Sequence, residues 1–276
     1  MNRSSSTWRR TPAVGRAVAI VLGLTMLLLV SPSAQAQDAP KVLKAMADYV
    51  ASQKVISATY DTDIEVITND LQKIQFASSG QMLLSRPDKI RASRIGGYAD
   101  VELVFDGKNL TVLGKNINAY AQTETAGSID QLVAGLRNEF GMAIPGADLL
   151  LSGAYDELMK DVLDAKHVGR GVIDGVECDH LAFRNNDVDW QLWVEVGNRP
   201  IPRKYVITNK AVTGMPQYTL RIKDWKTDVQ VAADAFAFKP SADAKKVDFS
   251  ALSDIDEVPP GVTTGAKTGA TTGAKQ

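Results

Sequence analysis

DVDWQLWVEVGNRPIPRKYVIT, residues 187–208, is the stretch whose reading decides the fold class. Taken in steps of two, Val188, Trp190, Leu192, Val194 and Val196 share one side of an extended segment, while Asp189, Gln191 and Glu195 take the other. That is the period of a half-buried strand. Gly197, Asn198, Pro200 and Pro202 then break the pattern, because proline has no amide hydrogen to give a sheet and Gly-Asn tolerates turn dihedrals. A second strand is expected from Arg203 to about Lys210. Two successive strands, each with one apolar and one wet face, describe an antiparallel sheet covered on one side only.

The same alternation extends outward in both directions. Ala58, Tyr60, Ile64 and Val66 oppose Asp61, Asp63 and Glu65, and after the Asn69-Asp70 turn Ile74, Phe76, Met82 and Leu84 continue the apolar face. Ser78, Ser79 and Gly80 in the middle of that strand read as a bulge or bend. Lys89 to Ile95, Val101 to Phe105, Leu110 to Leu113 and Ala119 to Thr123 complete a first meander, with Asp106-Gly107 as a hairpin signal. A second meander runs through Lys166 to Ile173, Val176 to Phe183, the opening pair, and Gln217 to Asp228. In this last strand Tyr218, Leu220 and Ile222 are expected on the apolar face, and Trp225 on the wet face with Arg221 and Lys223.

Helical spacing occurs at Val42, Leu43, Met46, Ala47 and Val50, ahead of the first meander. Between the meanders, Ser128 is placed to cap a helix carrying Ile129, Leu132, Val133, Leu136 and Phe140, and a further helix is expected from about Ala147 to Leu163. Ala232 to Phe238 reads as a short terminal helix. The inserted helices either fill the core or form a lid over the open face of the sheet. The fold class expected is mainly β with α, an antiparallel half-barrel of about 10–11 strands closed by inserted helices.

The N-terminus has the form of an export signal. Arg3, Arg9, Arg10 and Arg16 precede an uncharged run from Ala17 to Val30, and Ala34-Gln35-Ala36 predicts cleavage after Ala36. The run is short for a membrane span, which needs roughly 20 residues. Losing four arginines and no acid takes the formal charge from -1 to -5, which disfavours nucleic acid or an anionic membrane as partner. Cys178 is the only cysteine, so neither an intramolecular disulfide nor a two-cysteine metal motif is available. The expected organisation is a signal peptide over 1–36, one domain over 37–245, and a low-complexity disordered tail over 246–276, where TGAK occurs twice.

No sequence motif carries chemistry. Gly169 to Gly175 only approximates a dinucleotide fingerprint, since its third glycine comes one place late and a strand follows instead of a helix. His167 and His180 fall on neighbouring strands across a hairpin and read as hydrogen-bonded structural residues. Asp187 and Asp189 lie beside a turn on the wet face, and Asp61, Asp63 and Glu65 form a solvated strand face. No catalytic residue, metal site or cofactor is expected.

The arrangement of signal, helix, meander, helices and meander resembles the LolA/LolB-like carrier fold. HLAFRNNDVDWQLWVEVGNRPIPRKYVIT, His180 to Thr208, is similar to the signature of a family of predicted periplasmic proteins of unknown function assigned to that fold. The resemblance implies a bent sheet whose apolar hollow receives a lipid-like ligand. It would make Tyr60, Ile64, Val66, Phe76, Met82, Leu84, Phe105, Trp190, Leu192 and Val194 the sheet wall, with Leu132, Leu136, Phe140 and Met142 on the lid. Two functions follow as expectations: a non-enzymatic periplasmic carrier of an apolar or acylated molecule, or a sensor or interaction domain with a filled core that meets an envelope protein.

Overall fold

The computed structural model of the chain describes residues 38–142, 144–252, 255, 257–259 and 262; the expected signal peptide and the TGAK repeats lie outside these residues. Helix α1 (Ala39–Ser52) leads into β1 (Val55–Ile67), β2 (Lys73–Ser85), β3 (Lys89–Gly96), β4 (Asp100–Phe105), β5 (Asn109–Gly114) and β6 (Ala119–Glu124). Helix α2 (Ile129–Asn138), a 3-10 turn (Ala147–Leu150) and α3 (Ala154–Met159) come next. The second meander is β7 (Asp164–Ile173), β8 (Val176–Arg184), β9 (Val188–Glu195), β10 (Pro202–Asn209) and β11 (Gln217–Thr227), followed by the two-residue β12 (Lys245–Lys246).

All twelve strands form one sheet in the order β12-β6-β5-β4-β3-β2-β1-β11-β10-β9-β8-β7. The expected class, mainly β with helices over one antiparallel sheet, is borne out. The strand beyond the expected number is β12, which pairs parallel with β6. The sheet is not closed, because its two ends, β12 and β7, do not pair with each other. β1 is the seam between the meanders, pairing with β2 on one side and β11 on the other.

The helices form where the sequence places an apolar stripe. α1 buries Val42, Leu43, Met46, Ala47 and Val50 and leaves Lys44 and Asp48 paired at 2.8 Å on its exposed side. α2 starts in a full capping box, with the Gln131 amide donating to the Ser128 hydroxyl and the Ser128 amide to the Gln131 side chain. The helix expected over 147–163 is instead broken into the 3-10 turn and the six-residue α3. Asp130 accepts a bond from the Ser152 amide at 3.0 Å, which diverts the backbone there, and Gly153 follows. No helix among the described residues is long and apolar enough to cross a membrane.

Three expectations are corrected. The pairing of β1 with β2 runs without a shift from Val55 opposite Ser85 to Ile67 opposite Lys73, so Ser78, Ser79 and Gly80 make no bulge. Trp225 is not on the wet face; it is 6% exposed and belongs to the core. The cause is a register shift between Ser57 and Thr59, opposite which Asp224 takes a left-handed backbone (φ 47°). One extra residue there reverses the alternation and turns the indole inward. Finally, Ala232 to Phe238 forms turns instead of a helix.

These turns begin a strap around the β6 edge. Arg91 donates to the Ala235 carbonyl at 3.1 Å, Phe236 is buried, and the Phe238 ring stands 5.0 Å from that of Tyr120, all on the sheet face opposite the helices. After β12 passes along β6, Val247, Phe249, Leu252 and Ile255 pack on the helix-covered face. The packed chain therefore continues past the boundary expected at residue 245.

Candidate functional site

The helix-covered face carries two apolar clusters. In the larger, α1, the 3-10 turn and α3 lie against β1, β2 and β8–β11; it includes Tyr60, Met82, Leu84, Trp190, Leu192 and Val194 of the expected wall. In the smaller, α2 and the strap lie against β4–β6; it includes Phe105 with Leu132, Leu136, Phe140 and Met142. Ile64, Val66 and Phe76 share the face but belong to neither cluster; Val66 is fully buried and Phe76 meets Tyr98 edge-on at 5.8 Å. Trp190 stacks on Phe183 at 3.9 Å and meets Tyr205 edge-on. Trp193, three residues on, takes the opposite face and stacks on His180 at 4.0 Å with the Lys204 ammonium over its ring.

These side chains pack against one another. Two depressions among the described residues are open and polar. One of about 470 Å³ includes Asp61, Thr62, Ser78, Gly96 and Arg221, and one of about 390 Å³ lies between β6 and residues 246–249.

Between the two apolar clusters the face becomes polar. The register sets Tyr60, Gly80 and Arg94 in one row across β1, β2 and β3, and Thr62, Ser78 and Gly96 in the next. The Tyr60 ring lies over Gly80 and its hydroxyl donates to the Ser93 carbonyl at 2.9 Å. Into the notch beside it comes Glu257 from the strap, its side chain 7% exposed. Its Oε1 accepts from the Ser78 hydroxyl at 2.7 Å and from Arg94 Nη1 at 2.8 Å. Thr62 and Ser78 hydroxyls are 2.6 Å apart, so Thr62 donates to the Ser78 oxygen that itself donates to Glu257. Arg94 Nη2 turns away to the Ile255 carbonyl at 2.8 Å, and Glu257 Oε2 is buried with no hydrogen-bond partner among the described residues.

The helical cover is fastened at its rim. Arg86, just past β2, donates to the carbonyls of Gln53 and Val50 at the end of α1 and to that of Leu150 at 2.7 Å. Arg137 of α2 meets Glu157 of α3 at 2.9 Å. Within the 3-10 turn, burial pushes the Asp148 carboxyl above the usual carboxylate range, and the buried Tyr205 phenol beside it is likewise pushed up by burial. The folded chain thus holds the Asp148 proton more tightly than the unfolded chain. Stability from this group is complete below the unfolded carboxylate range and is lost as pH rises through the higher folded value. Asp148→Asn is expected to gain stability over the native chain as pH rises from 4 to 7, measured by urea midpoints. Parallel pH profiles for the two proteins would refute this.

The remaining polar groups are paired as sheet residues. His167 bonds Asp179 and His180 bonds Gln191, each at 2.9 Å; Asp61 pairs with Lys223, and Glu65 with Lys73 at 3.0 Å. Cys178 is buried, which pushes its thiol up to about 11. Among the described residues no group of three or more His, Cys, Asp or Glu is placed to hold a metal ion. Membership of the apolar face follows from alternation, whereas the Thr62, Ser78, Arg94 and Glu257 cluster has no local signal, because its members come from four separate segments.

The model of a family described as "Predicted periplasmic protein (DUF2092)" matches residues 39–250. No curated protein matches the chain. Among solved structures it is similar to an uncharacterized conserved protein from Thermus thermophilus, at 11% identity and a TM-score of 0.46, over 75% of this chain and 97% of that one. It is similar to a chain of the Pseudomonas aeruginosa MucA/MucB complex at 15% identity and a TM-score of 0.40, over 73% of this chain and 61% of that one. A LolA superfamily protein from Nitrosomonas europaea is similar at 13% identity and a TM-score of 0.32, over 73% of this chain and 98% of that one.

Proposed function

The chain belongs to that family of predicted periplasmic proteins, and from this premise we propose that it is a non-enzymatic periplasmic protein that binds or carries an apolar, lipid-like or acylated molecule. What supports the reading is how the apolar face is covered. The sheet keeps its own backbone hydrogen bonds, while beside the 14-residue α1 its cover is assembled from short pieces: the ten-residue α2, a four-residue 3-10 turn, the six-residue α3 and the strap. The helical pieces separate from the face without breaking a ladder and the strap with the loss of only the two-residue β12 pairing, and short helices owe their order to packing, not to themselves. An acyl chain taking their place is bound by apolar burial at about 25 cal/mol per Å². Entry requires the cover to move.

Native mass spectrometry of protein gently purified from the periplasm tests this, together with a fluorescent fatty-acid probe. The expected result is a reproducible lipid-sized adduct and saturable probe binding. A bare chain that ignores the probe would overturn the proposal. The second reading is an interaction domain, and it draws on the interior being packed by the protein's own side chains in both clusters. A bare chain that pulls down one envelope protein in stoichiometric amount would favour it.

A further inference from the structure

We propose that Thr62, Ser78 and Arg94 form a binding site for the carboxylate head of a long-chain acid, and that the chain's own Glu257 occupies it in this structure. The proposal rests on the reading of the apolar face as a lipid-like binding surface, and it adds which head group is taken and what keeps the site shut.

The fit of Glu257 is incomplete in a specific way. An arginine fork recognises a carboxylate best with two parallel bonds, one to each oxygen. Here the fork is divided, Nη1 going to Glu257 Oε1 and Nη2 to the Ile255 carbonyl. Among the described residues the second carboxylate oxygen is buried without a partner, a costly state for a charged group. The cradle is nevertheless built for an anion. Ser78 and Thr62 are 6% and 2% exposed, and their hydroxyls form a relay in which Thr62 donates to Ser78 and Ser78 donates to the carboxylate. A free carboxylate is not tied to the strap backbone, so it takes Nη1 and Nη2 together and satisfies both of its oxygens.

The apolar part of the strap completes the likeness to a ligand. Ile255, two residues before Glu257, and Leu252 and Phe249 further back, pack on the cluster formed with Phe105, Leu110 and Val112. An acid head at Arg94 followed by apolar contacts along β4–β6 is the arrangement a fatty acid makes. The strap reaches this position around the β6 edge, held beside it by the two-residue β12, so it leaves without disturbing the pairing of β1 to β11. The arginine side chain remains 31% exposed, which leaves an approach for the incoming head.

The test uses the mature full-length protein and two probes, palmitate and methyl palmitate, in competition with a fluorescent fatty acid. Glu257→Gln removes the resident charge and is expected to tighten palmitate binding by about tenfold, with a smaller effect on the ester. Adding Arg94→Gln to that background is expected to weaken palmitate binding by about tenfold or more while leaving the ester unchanged. Ser78→Ala in the same background keeps the arginine and is expected to weaken palmitate severalfold, which guards against a fold defect in the arginine variant. Circular dichroism confirms that each variant is folded. If palmitate and ester bind alike in every variant, the head site is wrong and apolar carriage stands. If neither probe binds any variant, both proposals fall.

Discussion

Gly80→Ala is expected to destabilise the domain by about 3 kcal/mol or more, and Gly80→Val to leave little folded protein. A Cβ at this position would stand 2.3 Å from the Ser93 carbonyl oxygen and 2.3 Å from Cζ of Tyr60. The first contact is backbone of the neighbouring strand and cannot rotate away. The second is a ring held in place by its own hydrogen bond to the same carbonyl. Relief therefore requires β2 and β3 to separate where Gly80 pairs with Arg94, which also displaces the arginine from Glu257. Urea denaturation measures the loss, with Gly97→Ala as control, since a Cβ there meets nothing within 4 Å. Equal midpoints for the two alanine variants would show that the close approach is absent in solution.

Trp190→Ala is expected to cost about 3–5 kcal/mol, the range for truncating a large buried aromatic. Trp190 is 4% exposed and fills the space between Phe183 and Tyr205, so its removal leaves a cavity that neighbours on a rigid sheet close only in part. Trp193→Ala is expected to cost about 1 kcal/mol, the worth of a half-exposed stack on His180 and one cation over the ring. Chemical denaturation of the two variants checks the contrast. Equal losses would show that the side chains do not divide between the two faces as described.

Much of the sheet was legible before the structure because alternation is a local property. The odd separation of Trp190 from Trp193 requires opposite faces in any unbroken strand, and the structure places them so. The same rule failed at Trp225, where the inserted residue at Asp224 leaves no compositional mark distinguishable from an ordinary turn residue. Ser78 and Gly80 were conspicuous in an otherwise apolar face. Their reason, room for the Tyr60 ring and a cradle for Glu257, lies in partners many residues away.

The sequence by itself determined the class of fold, the two meanders, the capped helix at Ser128 and which strand residues share the apolar face over most of the sheet, because periodicity and capping are set within a few neighbouring residues. Only the tertiary structure decided that the chain after β11 is a strap and that Glu257 closes a notch formed by Thr62, Ser78 and Arg94. Strap residues such as Val247, Phe249, Leu252 and Ile255 show no regular period; what orders them is a surface made by distant strands, and such a surface exists only once those strands have paired.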